Sequence, residues 1–194
     1  MEDKAAIIIL AAGNSSRLGE PKQLLPYKGK TLLRHTADEA LLVTPKVLIV
    51  TGEENPDITE QITGFHYIRN ESWAEGMASS LKTGLQETLQ RFPETEQFIF
   101  TVCDQPFISA SVFEALIEKK STSPKGIVAS AYAETLGVPV LFSGSYIQEL
   151  LNLKGQEGAR KLIQQHKDDT DSISFEQGSW DIDTPEDYKK IINP

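Results

Sequence analysis

Apolar positions along the chain fall into short continuous blocks and longer amphipathic stretches, and the two rhythms predict different elements. Ala5–Ala12 (AAIIILAA) is a continuous apolar run, the pattern of a strand buried on both faces. Lys46–Thr51 (KVLIVT) and Gln97–Cys103 (QFIFTVC) repeat it, and Phe65–Arg69, Gly126–Ala131 and Gly137–Phe142 predict further strands. Between these blocks, Thr31–Val43 sets Leu32, Leu33, Ala37, Ala40 and Leu41 at helical spacing and stops before Pro45. Met77, Leu81, Leu85 and Leu89 recur every fourth residue and predict an amphipathic helix over Gly76–Gln90. Ser111–Lys119 predicts a helix opened by a capping box of Ser111 and Glu114, and Tyr146–Leu153 and Ala159–His166 predict two more. After a polar stretch, Trp180–Asp183 reads as strand, with Asp181 and Asp183 on one face. Thr184-Pro185-Glu186-Asp187 then opens a final helix, with Thr at the cap, Pro in the first turn and acids at the positive dipole end.

Strands alternating with helices predict an α/β fold, one domain over residues 1–194, with a largely parallel sheet covered on both faces. Ligands of such sheets sit at the carboxyl ends of the strands, so the residues that follow Ala12 and Cys103 are the ones to inspect.

Composition narrows the partners. The 194 residues carry 28 Asp plus Glu against 19 Lys plus Arg, a net charge of −9 that repels nucleic acid and anionic membranes. No apolar run approaches the roughly 20 residues of a membrane span, and MEDKAAIIIL lacks the pattern of a signal peptide. A single cysteine, Cys103, excludes an intrachain disulfide framework and makes a reducing cytoplasm the expected setting. Three scattered histidines with one cysteine give no zinc cluster. His35 falls among core positions of its helix, His66 and His166 carry no pattern, and Cys103 reads as a small buried residue at a strand end.

The charge is unevenly placed. Between Gly13 and Arg34 there are five Lys or Arg and one acid, a local balance of +4. From Asp168 to Asp187 there are eight acids and no Lys or Arg, most of which reads as solvated surface. The loop Gly13-Asn14-Ser15-Ser16-Arg17-Leu18-Gly19-Glu20-Pro21-Lys22 has two readings, a polyphosphate cradle built on Arg17 and Lys22 or an ordinary loop with solvated charges. It contains neither Gly-x-Gly-x-x-Gly nor a P-loop, which argues against a conventional NAD enzyme or P-loop ATPase. Asp104, where a buried strand meets its loop, is either a carboxylate for Mg²⁺ or a turn residue before Pro106. Asp183 is either a second metal carboxylate or a lead-in to the last helix, and Trp73 either packs or lines a pocket.

Several of these segments together resemble a known family. Leu10-Ala11-Ala12-Gly13, Ser16-Arg17-Leu18-Gly19 and Pro21-Lys22-Gln23-Leu24-Leu25-Pro26 resemble the signature loop of the MobA-like nucleotidyltransferases. Asn70–Leu81, Cys103-Asp104-Gln105-Pro106, Gly137–Phe142, Gly158-Ala159-Arg160 and Asp181–Asp187 narrow the likeness to the molybdenum cofactor cytidylyltransferase (MocA) type and the xanthine dehydrogenase accessory proteins. The resemblance implies a three-layer, Rossmann-like nucleotide-diphospho-sugar transferase fold. It implies that Gly13, Arg17 and Lys22 hold the triphosphate and that Asp104 and Asp183 bind Mg²⁺, which makes Arg17, Lys22 and Asp104 the catalytic set. The nucleotide is expected against Leu10, Ala11, Ala12, Gly76, Ser79 and Ser80, with Ser80 touching base or ribose. Ala12 stands where guanylyltransferase relatives carry Gly, which favours CTP. Gln156 stands where relatives typically have Asp. The implied reaction joins CTP to the terminal phosphate of molybdenum cofactor, with a molybdenum hydroxylase as a candidate recipient. A sugar or polyol phosphate acceptor, or a non-catalytic cofactor chaperone, are the alternatives.

Overall fold

The computed structural model describes residues 4–13 and 18–192. The chain runs through β1 (Ala5–Ala11), a 3-10 turn at Lys22–Leu24, a ribbon of β2 (Pro26–Tyr27) and β3 (Lys30–Thr31), and α1 (Leu32–Leu41). Next come β4 (Val47–Thr51), α2 (Pro56–Gln61), β5 (His66–Arg69), a 3-10 turn at Trp73–Glu75 and α3 (Met77–Arg91). β6 (Gln97–Val102), α4 (Ala110–Thr122), β7 (Ile127–Tyr132), β8 (Thr135–Ser143), α5 (Ile147–Leu151), α6 (Ala159–Gln165), β9 (Thr170–Ser174) and α7 (Pro185–Ile192) follow.

Among the described residues, seven strands form one sheet in the order β5-β4-β1-β6-β8-β7-β9. Every neighbouring pair is parallel except those of β8, which runs antiparallel to β6 and β7. The alternation of side chains along the central strands divides the core in two. Ile7, Ile9 and Ile99 meet α1 and α4 through Leu33, Ala37, Phe113 and Leu116. Ile8, Phe98 and Phe100 face α3, α5 and α6 through Leu81, Leu85, Leu150 and Leu162. The three-layer, mostly parallel Rossmann-like architecture expected from the sequence is present. α3 comes close enough to the sheet that a Cβ on Gly84 would lie 2.7 Å from Ile8 and 2.8 Å from Val50. Glycine therefore stands mid-helix despite its poor helix propensity.

Helix ends follow the local chemistry with one correction. Thr31 caps α1 by accepting from the Arg34 amide at 3.3 Å. The last helix carries a reciprocal cap, in which Thr184 N donates to Asp187 at 3.0 Å and Asp187 N to Thr184 at 3.2 Å. The Ser111/Glu114 box does not form. α4 begins one residue earlier, Ser109 is its cap position, and the Ala110 amide donates across the fold to Glu39 at 2.8 Å.

The strand expected at Trp180–Asp183 is absent. This segment is extended coil between a 3-10 turn at Glu176–Ser179 and Pro185, joined to the sheet region through Ile182 N donating to Asp104 O at 3.0 Å. The strand lies earlier, in the polar stretch, as β9, whose residues alternate between covered and open positions beside β7.

A third apolar cluster explains where the coil goes. Leu18, Leu25 and Tyr27 from the first loop and ribbon, with Leu32 at the start of α1, enclose Ile182 and Ile191 from the C-terminal segment, and Ile182 is fully buried. Tyr188 Oη adds a hydrogen bond of 2.6 Å to Pro26 O. Ile182→Ala should therefore lower unfolding free energy by about 2–5 kcal/mol, measured by urea denaturation, and should weaken nucleotide binding because Asp183 is its neighbour.

Candidate active site

β1, β4 and β6 end on the same edge of the sheet, and two adjoining hollows of about 600 and 650 Å³ open there. Ala11, Ala12, Gly13, Gln23 and Trp73 line both. The smaller continues over Gly19–Pro21 and Gly52–Asn55, and the larger over Leu10, Lys22, Gly76, Ser80, Asp104 and Gln156. Trp73 thus lines the cavity, which settles the two readings left open by its sequence context.

Buried amides hold the floor in place. Gln23 is 4% exposed, and its Nε2 donates to Ala11 O at 2.7 Å and to Gly13 O at 3.4 Å, bracing the backbone where β1 ends. Asn70, equally enclosed, donates through Nδ2 to Ser79 Oγ at 2.8 Å and Ser80 Oγ at 2.9 Å, and its Oδ1 accepts from Ser72 N at 3.0 Å. Ser79 Oγ lies 2.8 Å from both Ser72 O and Gly76 O. The structure therefore turns the Ser79 hydroxyl, in the first turn of α3, back onto the preceding turn and off the cavity lining, while Ser80 lines the hollow. Neither Gln23 nor Asn70 was singled out in the sequence. Gln23 stood inside the Pro21–Pro26 motif, and Asn70 opened the Asn70–Leu81 motif, so each carried a positional signal without a chemical one.

Gly76 sits at the cap position of α3 with φ +118°, a left-handed conformation that side chains disfavour. A Cβ there would come within 2.4 Å of Gly155 O, the same carbonyl that accepts from Ala78 N at 3.1 Å. The loop bearing Gln156 is thereby clamped against the start of α3, and Gln156 itself faces the larger hollow.

Two charged groups, Lys22 and Asp104, line that hollow, and Asp183 joins them from the C-terminal coil. Lys22 Nζ donates to Asp104 Oδ2 at 2.6 Å and to Asp183 Oδ1 at 3.1 Å. Burial alone lowers the lysine pKa, but the charges and hydrogen bonds of Asp104 and then Asp183 outweigh it, so the ammonium is held above its usual value. Nearby, desolvation and Asp104, followed by Asp183, push the Asp181 carboxyl up to about 6, against the opposing pull of Gln105 and Lys22. Burial, then Asp104, raises the Cys103 thiol to about 12, which removes it as a nucleophile near neutrality. His35, kept below its usual value chiefly by burial, hydrogen-bonds Ile108 O at 3.1 Å away from the cavity. Arg17, with Asn14–Ser16, lies outside the described residues.

Asp104 and Asp183 both reach one cation, here the lysine ammonium, so their oxygens can share a ligand point. No group of three or more His, Cys, Asp or Glu converges among the described residues. That donor set suits Mg²⁺ completed by phosphate oxygens and water, and does not suit an all-protein cage.

A mostly parallel α/β sheet with a cavity of nucleotide size, a cation and paired carboxylates at its carboxyl edge defines a nucleotide-binding α/β protein. Residues 7–170 match the family model described as the MobA-like NTP transferase domain, and the chain belongs to this nucleotidyltransferase family. It is 24% identical to the molybdenum cofactor cytidylyltransferase of Escherichia coli over 93% of this chain and 92% of that protein. It is 28% identical to nicotine blue oxidoreductase of Paenarthrobacter nicotinovorans over 95% of each. Among solved structures, Rv0371c of Mycobacterium tuberculosis superposes with a TM-score of 0.84 at 27% identity, covering 98% of both chains. A complex of that protein with manganese gives a TM-score of 0.78 at 25% identity, over 97% of this chain and 98% of that one.

The clamp at α3 yields a direct expectation. Gly76→Ala should reduce unfolding free energy by roughly 1–3 kcal/mol and displace the Gln156 loop, detected as weaker nucleotide affinity by calorimetry alongside a lowered denaturation midpoint.

Proposed function

We propose that the chain transfers CMP from CTP to the terminal phosphate of molybdenum cofactor and releases pyrophosphate, in the cytoplasm, where its lone cysteine stays reduced. The observation that carries this reading is the meeting of Lys22 with Asp104 and Asp183, the first two of which line a hollow shared with Leu10–Gly13. The cytidylyl and cofactor specificity is supported by Ala12 in the signature loop and by the family likeness to the E. coli enzyme across nearly the whole chain.

In this reading an oxygen of the acceptor phosphate attacks the α-phosphorus, and the bond to the bridging oxygen breaks as pyrophosphate departs with its electron pair. The attacking group is already an anion, so no side chain has to remove a proton. What the chain must do is bring polyanions together and neutralise the leaving group. A Cβ added at Gly13 would meet nothing within 4 Å among the described residues, so the floor there leaves room for a phosphate. Lys22 supplies positive charge to the phosphates, and Arg17 joins it by the family pattern. Asp104 and Asp183 would hold Mg²⁺, which supplies Lewis-acid neutralisation of the phosphate oxygens. The manganese complex of Rv0371c is consistent with a divalent cation in this fold. Ser80 faces the hollow from the first turn of α3 and is the hydroxyl placed for base or ribose, while Ser79 supports it through Asn70.

One observation favours a second acceptor. Gln156 lines the hollow, so a neutral amide faces it and suits a sugar or polyol phosphate, whose hydroxyl groups both donate and accept.

The test incubates the protein with Mg²⁺, each nucleoside triphosphate in turn, and either molybdenum cofactor or a panel of sugar and polyol phosphates, and measures pyrophosphate and the product formed. Release with CTP and molybdenum cofactor supports the proposal. Release only with a sugar or polyol phosphate replaces the acceptor, and binding of the cofactor without any release makes the chain a carrier. Asp104→Ala should lower pyrophosphate release by at least about a hundredfold with an unchanged circular dichroism spectrum.

A further inference from the structure

Lys22 has two incompatible duties in the proposed reaction. Its ammonium stands 2.6 Å from Asp104 Oδ2 and 3.1 Å from Asp183 Oδ1, so it fills the point those two carboxylates share. A divalent cation held by both oxygens would need that same point, and a bound triphosphate would need the ammonium. The Lys22 and Asp104 side chains are sheltered, 13% and 21% exposed, whereas Asp183 reaches them from the surface with its side chain 51% exposed. Pushing a metal in alone would strand a partly desolvated ammonium beside a dication, a costly arrangement.

We propose that Lys22 is an internal counter-ion that closes the metal site of the nucleotide-free protein and is handed to the phosphates when nucleotide arrives. The inference rests on reading Asp104 and Asp183 as metal carboxylates. Lysine suits such a transfer because it is a point charge on a flexible four-carbon stem, with no fixed fork to satisfy. Its neighbourhood makes the exchange local, since Lys22 lines the larger hollow together with Ala12, Gly13 and Asp104. The triphosphate offers the ammonium a new anion and the metal further oxygens, so each ligand removes the obstacle to the other. Metal and nucleotide then bind with positive, reciprocal coupling. The same device keeps the site closed to cations that arrive without a nucleotide.

The test measures Mn²⁺ binding by electron paramagnetic resonance, with no catalysis involved. Wild type, Lys22→Met, Lys22→Gln, Lys22→Arg and Asp104→Asn are compared, each without nucleotide and with α,β-methylene CTP. Without nucleotide, Lys22→Met and Lys22→Gln should bind Mn²⁺ at least about tenfold more tightly than wild type, while Lys22→Arg, which keeps the charge, stays weak. The gain in Mn²⁺ affinity on adding the analogue should be smaller in the two neutral variants than in wild type. Nucleotide-free Mn²⁺ binding by both neutral variants that equals or falls below that of wild type would overturn the proposal while leaving the metal reading intact. If instead Asp104→Asn binds Mn²⁺ with the analogue as tightly as wild type does, the metal reading itself fails and the counter-ion with it. Two neutral replacements of different shape keep the comparison valid if one of them does not fold, as checked by circular dichroism.

Discussion

Three distant stretches of chain meet at one ammonium group. Lys22 is separated by 82 residues from Asp104 and by 161 from Asp183, yet it hydrogen-bonds both. Such a sheltered ion pair adds little net stability, since desolvation consumes most of the Coulomb gain. Its value lies in position. The attraction holds together Lys22, the end of β6 at Asp104 and the C-terminal coil at Asp183. The apolar work is done beside it, where Ile182 and Ile191 enter a pocket of Leu18, Leu25, Tyr27 and Leu32. Hydrophobic burial brings the C-terminal segment home, and the charge sets its register to the nearest residue.

The rest of the site is organised by groups that never need to touch a substrate. Gln23 stiffens the end of β1 through two backbone carbonyls, and Asn70 ties Ser72, Ser79 and Ser80 into one turn. Gly76 lets Gly155 approach so closely that α3 and the Gln156 loop behave as one wall. A floor made of backbone and small residues offers dipoles without side-chain bulk, and bracing it in advance reduces the rearrangement needed when a charged ligand arrives.

The sequence showed strong periodic elements well and weak ones poorly, for a physical reason. β1, β4 and β6 are buried on both faces, so almost every residue must be apolar, and their runs stand out. β9 is an edge strand with open positions, and α2 is six residues held by the Asn55 cap, so neither has enough buried surface to impose a pattern. Asp181 and Asp183 looked like one face of a strand because alternation is also what an extended coil shows. Lys22, Asp104 and Asp183 each carried two readings in the sequence and were joined only by the family resemblance, because their meeting at one ammonium depends on contacts across 82 and 161 residues. The placement of Ser79 was not legible, because its hydroxyl is claimed by Asn70 nine residues away, a contact that leaves no spacing rule.

The acidic stretch from Asp168 to Asp187 shows how a charge run is divided by the fold. Read as sequence, most of it was solvated surface, and much of it is exposed, but several members are committed. Asp169 accepts from Gly126 N at 3.0 Å and Tyr146 Oη at 2.6 Å, Asp171 pairs with Lys119 at 3.1 Å, and Asp187 closes the cap of α7. Hydrogen bonds hold all three below the usual carboxylate range, led by Tyr146 for Asp169, the Ser172 amide for Asp171 and Thr184 for Asp187. Asp181 goes the other way, because desolvation and the charges of Asp104 and Asp183 work against its ionisation. The region lowers its carboxyl groups where they accept structural hydrogen bonds and raises the one that lies beside Asp104 and Asp183 at the sheet edge. That crowding of carboxyl groups is what a cation relieves. In the nucleotide-free protein the relief comes from Lys22, the one charge the chain brings to both Asp104 and Asp183 among the described residues.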